Sequence, residues 1–185
     1  GVTGSGKTRV YMNIVKEKLK KKFQCLILVP EIILTKEWVN EIFNDFGIIA
    51  EIYHSSIKAS KKASIWNHII LNKSILIIGT RSSLFLPFKN LGIIVVDEEH
   101  DQSYKQDEGV SYNARDMAIT RASLENIPVN LVTSIPSIET YNNTLFFIND
   151  NNYHLLFSNN HYNNENYYNN ENHYHCKSSI QKGNN

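Results

Sequence analysis

Cysteine is scarce here, with two in 185 residues, and the placement of both excludes two classes of protein at once. Cys25 lies inside an apolar run and Cys176 in the C-terminal tail, so they offer neither a metal-type spacing nor a disulfide framework. A reducing cytoplasm suits such a chain. Long apolar runs are missing as well: none approaches the roughly 20 residues of a membrane helix, and no secretory signal opens the chain. No membrane partner is expected. Charge of one sign is absent in total, the net being +1, but Lys16, Lys18, Lys20, Lys21 and Lys22 crowd one segment while acids gather from Asp97 to Asp101. An initiator Met is lacking too, and the abrupt start on a glycine loop reads as a fragment. What remains, 42% hydrophobic residues in 185, suffices for one good core and hence one folded domain.

Asp97-Glu98-Glu99-His100 closes the apolar run Leu91-Gly92-Ile93-Ile94-Val95-Val96. A continuous β-branched run ending on paired carboxylates predicts a buried parallel strand that delivers acids to the rim of an α/β sheet, where such folds bind ligands. At the other end of the sequence, Gly1-Val2-Thr3-Gly4-Ser5-Gly6-Lys7-Thr8 satisfies G-x-x-x-x-G-K-[ST] without mismatch. Gly1, Gly4, Ser5 and Gly6 would bring backbone N–H groups close to phosphate oxygens, and the following helix would add its positive N-terminal end. Lys7 would reach the β- and γ-phosphates of ATP, and Thr8 would offer its hydroxyl to Mg²⁺. The two ends together predict a site that binds and splits a nucleoside triphosphate.

Between these ends the periodicity alternates. Val10, Ile14, Val15, Leu19 and Phe23 recur at helical spacing with the lysines opposite, and Cys25 to Val29 reads as a short buried strand stopped by Pro30. Thr35 can cap a helix carrying Trp38, Val39, Ile42, Phe43 and Phe46. Ile48 to Tyr53 reads as a strand, and Lys58 to Leu71 as a helix with Ile65, Trp66, Ile69 and Ile70 inward. Ile75 to Gly79 is a strand that breaks into Thr80-Arg81-Ser82, where hydroxyls and one Arg suit a phosphodiester backbone. After His100 comes a polar loop in which Tyr104 and Tyr112 flank a lysine, a composition that suits stacking on unpaired bases. Ala114 to Leu124 is helical, Val129 to Thr133 a strand and Ser137 to Phe147 a last helix. Such alternation predicts an α/β fold with a mostly parallel, doubly wound sheet. Its first strand, the one feeding the phosphate loop, is missing from the sequence, and we expect its place to be beside the strand that ends at Asp97.

From Asn149 the composition shifts to Asn, Tyr and His. The expected division is a folded lobe over 1–148 and a low-complexity, disordered tail over 149–185, with Tyr153 to Phe157 as one possible further strand. His173, His175 and Cys176 lack a second cysteine pair at metal spacing, so zinc is not expected there.

The phosphate loop, Leu28-Val29-Pro30-Glu31-Ile32, the run from Gly79 to Phe88, Asp97-Glu98-Glu99-His100-Asp101 with Ser103-Tyr104-Lys105-Gln106, and Ala114-Arg115-Asp116 together resemble the family of primosomal protein N′, the PriA replication-restart helicases. They stand in that family's order and cover Gly1 to about Thr140. The resemblance implies a RecA-like P-loop NTPase lobe, the first motor lobe of a superfamily 2 DNA helicase that moves 3′ to 5′ in the cytoplasm at the nucleoid. It further implies that Lys7 and Thr8 hold triphosphate and Mg²⁺, that Asp97 orients the metal, and that Glu98 activates the attacking water. His100 and Tyr104 would couple the nucleotide site to single-stranded DNA, with Thr80 and Arg81 on its backbone. Forked DNA, primosome proteins and single-strand-binding protein are the implied partners. Zinc is implied for the family at full length, but its cysteine ligands are absent here.

Two departures stand out. Where the family has Gly-Ser-Ala-Thr-Pro-Ser, this chain has Val132-Thr133-Ser134-Ile135-Pro136-Ser137, so Ile135 replaces a hydroxyl of the coupling motif. The second motor lobe and its arginine finger are also not represented. The readings in competition are a first motor lobe, a decayed remnant that binds ATP or DNA weakly and catalyses nothing, and a small phosphotransferase, which needs neither the acid string nor the arginine loop.

Overall fold

The computed structural model describes residues 7–34, 36–73, 75–107 and 109–133, and the backbone of 153–157. Gly1, Gly4, Ser5, Gly6, Thr35, Ile135, the helix expected at Ser137 to Phe147 and the tail histidines lie outside the described residues.

The elements follow the periodicity of the chain. Helices α1 (Lys7–Lys20), α2 (Lys36–Phe46), α3 (Ala59–Ile70) and α4 (Ala114–Glu125) alternate with strands β1 (Gln24–Leu28), β2 (Ala50–Tyr53), β3 (Leu76–Gly79), β4 (Leu91–Asp97) and β7 (Val129–Thr133). A two-residue hairpin pair, β5 (Lys105–Gln106) and β6 (Tyr112–Asn113), precedes α4, and β8 (Tyr153–Phe157) closes the series. Every residue of β1, β3, β4 and β7 is buried. Strands covered on both faces have no polar side to show, which is why these segments read as unbroken apolar runs.

The six-stranded sheet has the order β2-β3-β1-β4-β7-β8, all parallel. One face packs Tyr11, Met12 and Val15 of α1 and Trp38 and Ile42 of α2 onto Cys25, Ile27, Ile93 and Val95. The other packs Ile65 and Ile69 of α3 and the small side chains Ala114, Ala118 and Ala122 of α4 onto Leu26, Leu28, Ile94 and Val96. Burying an Ile or Leu in this way contributes roughly 1.5–3 kcal/mol. Gln24 anchors the start of β1: its Nε2 donates to the Ile69 carbonyl at 2.9 Å and its Oε1 accepts from the Lys89 N–H at 2.9 Å. At α4, the Asn113 side chain accepts from the Arg115 N–H and caps the helix, and Asn126 ends it at φ 52° in the left-handed region that Asn tolerates.

Three expectations change. The α1 stripe runs through Tyr11, Met12 and Val15, with Val10, Ile14 and Leu19 only partly buried, because the helix is rotated so that a tyrosine faces the sheet end. In α3, Ile65 and Ile69 point inward, whereas Trp66 is 43% exposed and Ile70 also lies at the surface, since an i, i+4 pair spans the width of contact. The third concerns the strand feeding the phosphate loop, expected beside β4. Both edges of β4 are taken, by β1 and β7. The crossover rule explains the error. Connections running toward β2 place their helix on the α1–α2 face, and those running toward β7 on the α3–α4 face. A connection that enters β1 through a helix on the α1–α2 face therefore runs from the β7 side of the sheet. β8, inside the segment expected as tail, pairs with β7 from Val129↔Tyr153 to Thr133↔Phe157, as the short-strand reading expects.

Candidate nucleotide-binding site

The carboxyl ends of β1, β4 and β7 and the start of α1 meet at one rim. β4 delivers Asp97 as its last residue, and the chain then turns through Glu98 at φ 47°. A left-handed glutamate costs roughly 1–2 kcal/mol. The turn makes three successive acids diverge.

Asp97 is 7% exposed. Its Oδ2 accepts from the Tyr11 hydroxyl at 2.9 Å and its Oδ1 from the Glu98 N–H at 3.0 Å. Burial pushes its pKa up to about 6, while the Tyr11 hydrogen bond opposes the rise and the Glu98 charge adds to it. Glu98 faces the start of α1, where the Lys7 ammonium meets its Oε1 at 3.0 Å. Glu99 turns to the opposite face and pairs with the Arg115 guanidinium of α4 at 3.3 Å. His100 lies with Nδ1 2.8 Å from the Thr133 hydroxyl at the end of β7 and 3.7 Å from Glu98 Oε2. Lys7, Thr8, Asp97, Glu98 and His100 are thus brought to one rim. The hard oxygens of Thr8 and Asp97 suit Mg²⁺, which takes few protein ligands and completes its shell with phosphate and water. Among the described residues, no three His, Cys, Asp or Glu side chains cluster as an all-protein cage would require.

A family model for the DEAD/DEAH box helicase matches residues 1–134. The chain belongs to the DEAD/DEAH box helicase family. Among DEAD/DEAH relatives, the replication restart protein PriA of Rickettsia felis is 46% identical over 164 residues, 89% of this chain and 25% of that protein. PriA of Bacillus subtilis is 42% identical over 141 residues, 76% of this chain and 18% of its own length. The resemblance read from the motifs is borne out, and the chain spans about a quarter or less of the length of these relatives. The Sulfolobus solfataricus SWI2/SNF2 ATPase C-terminal domain superposes with TM-score 0.50 at 16% identity, over 80% of this chain and 58% of that one, a likeness of fold alone. The α/β RecA-like lobe stands with it.

Elsewhere in this helicase lobe, two site residues differ from expectation. Tyr104 is 1% exposed, and its hydroxyl lies 2.6 Å from the Asp97 carbonyl and 3.0 Å from the Leu28 carbonyl. It joins the ends of β4 and β1 and presents no face for stacking on bases. The three-residue turn Gln102–Tyr104, held by Asp101 accepting from the Ser103 N–H at 2.7 Å, folds it inward. Thr80 is buried too, its carbonyl accepting from Ser83 N–H and Oγ at 2.9 and 2.6 Å. Of the pair expected on DNA, Arg81 alone reaches the surface, where it donates to the Lys105 carbonyl and ties the arginine loop to the loop after the acids.

Tyr11 escaped the sequence reading, and Arg115 was quoted there only within a motif, with no role given. Tyr11 stands one helical turn after Lys7 and Thr8, and that i+3/i+4 offset from a phosphate-loop Lys-Thr pair was the available signal. For Arg115, opposite charge to an acid string offers no sequence spacing at all.

Proposed function

We propose that this chain is the first motor lobe of an ATP-dependent DNA helicase of replication restart, moving 3′ to 5′ on single-stranded DNA. The observation that carries the reading is the gathering of Lys7, Thr8, Asp97 and Glu98 at one rim, with His100 joining Glu98 to Thr133. Phosphoryl transfer asks for charge neutralisation and an oriented nucleophile. Lys7 exchanges its bond to Glu98 for the β- and γ-phosphates, which frees Glu98 to accept a proton from the attacking water. Thr8 and Asp97 would hold Mg²⁺, which would neutralise charge developing on the phosphates. His100 and Thr133 report the state of that site to β7, and Tyr104 ties it to the loop that Arg81 grips. Arg81 then meets the phosphodiester backbone of single-stranded DNA. Primosome and single-strand-binding proteins are the partners, in the cytoplasm at the nucleoid; among the described residues no helix is long and apolar enough to cross a membrane.

An arginine finger contributes about 10³–10⁵ in rate in GTPases, and no arginine among the described residues is assigned that part, so we expect the 185 residues by themselves to turn over negligible ATP. Titration calorimetry tests the site directly: weak binding of Mg·ATP is expected for the chain, and none for Lys7→Ala. Equal affinity of the two removes the phosphate-loop assignment.

A further inference from the structure

The Tyr11 hydroxyl sits inside the site without a part in phosphate binding or hydrolysis. Its ring is fully buried among the side chains of the α1–α2 face, so the hydroxyl cannot swing away. It donates to Asp97 Oδ2 at 2.9 Å. We propose that Tyr11 is a positioning residue that sets the site's affinity for Mg²⁺, by holding the Asp97 carboxylate.

The inference rests on the phosphate-site reading above. A carboxylate that serves a hydrated cation must have its lone pairs turned the right way before the metal arrives, and the hydrogen bonds it accepts fix its plane. The Tyr11 hydroxyl fixes one oxygen of Asp97, and the Glu98 N–H fixes the other at 3.0 Å. A purely structural tyrosine would need the ring but not the hydroxyl. Partners that orient metal ligands change metal affinity about 10–100-fold when removed.

Tyr11→Phe keeps the ring and deletes the hydrogen bond to Asp97. In the full chain, calorimetry of ATP binding across a Mg²⁺ titration is expected to show half-saturation shifted to about tenfold higher Mg²⁺, with ATP affinity in EDTA and the thermal midpoint near wild type. An unchanged Mg²⁺ dependence, or equal losses with and without metal, overturns the proposal. Should Tyr11→Phe fail to fold, ¹³Cζ-tyrosine NMR of the wild-type chain decides. The Tyr11 resonance moves with Mg·ATP but not with ATP in EDTA; a resonance that ignores the metal overturns the proposal. Lys7→Ala, run alongside, loses ATP binding in both conditions, and its failure to do so would sink the phosphate-site reading separately.

Discussion

Glu98 and Glu99 are the same side chain one residue apart, yet they serve opposite faces of the sheet. Glu98 is half-buried and holds Lys7, a flexible partner with other work to do. Glu99 is 2% exposed and holds Arg115, which Asp116 also grips at 2.8 Å and which stays with α4. The difference teaches where this lobe can afford to move. Lys7 and Arg115 are equally buried, but Glu98 keeps 28% of its side chain in solvent, so its pair can break and re-form as ligands come and go, because water takes over the stranded carboxylate. A buried pair cannot, because the stranded charge has nowhere to go. The α1–α2 face is the exchangeable side of the rim and the α3–α4 face the fixed one.

The sharpest way to break this contrast is Arg115→Ala. Stranding a buried carboxylate costs about 3–5 kcal/mol, and because Arg115 is partly engaged by the exposed Asp116 we expect about 3 kcal/mol by urea denaturation. Lys7→Ala, the matching change on the other face, should cost less, about 1 kcal/mol, because it strands the 28% exposed Glu98 rather than the 2% exposed Glu99. If the two variants lose equally, the faces do not differ as described.

Asp97→Asn should move stability the other way. Burial raises the folded pKa of Asp97 to about 6, above the ordinary carboxylate range. The folded state then binds the proton more tightly than the unfolded one, so stability is greatest below about pH 4 and falls as pH rises toward 6. The Asn variant escapes that fall. In EDTA it should gain about 3 kcal/mol at pH 7.5 and little at pH 4, each pKa unit being about 1.4 kcal/mol, while losing Mg²⁺-dependent ATP binding. A gap that does not open with pH would rule out burial as the cause.

On the fixed face, Gly79→Ala places a Cβ 2.4 Å from the Tyr53 carbonyl oxygen and 2.7 Å from Ser83. Backbone and turn must both shift, at about 1–2 kcal/mol, and the arginine loop loosens; faster amide exchange at Arg81 and Ser82 would register it. Leu124→Glu, on the outer side of α4 at 83% exposure, should stay within about 0.5 kcal/mol. A larger loss there would mean that the outer side of α4 is packed in solution.

The fold was legible wherever burial on both sheet faces left a continuous apolar signature, as in Leu91 to Val96, and the phosphate loop wherever a fixed spacing mirrors the shape of its ligand. Strand order was not. Neighbours in a parallel sheet are chosen by crossover handedness, a property of whole helices, so the place beside β4 could not be read from the residues near it. Tyr104 was misread for a related reason: a polar loop without periodicity gives no register, and its one core residue looks like its surface neighbours. Tyr11 was passed over because hydropathy ranks tyrosine below the valines and isoleucines around it, although its polar tip is what the sheet end needs.

The turn at Glu98 has a bearing on how such a sequence drifts. Asn or Gly would sit more comfortably at φ 47°, and Asn at position 97 would relieve a buried charge. Random substitution filtered only for folding therefore pulls two adjacent codons away from Asp-Glu, against only the Tyr11 hydrogen bond and the Lys7 ion pair. A sequence released from its task would be expected to lose these letters among the first. This one spells both.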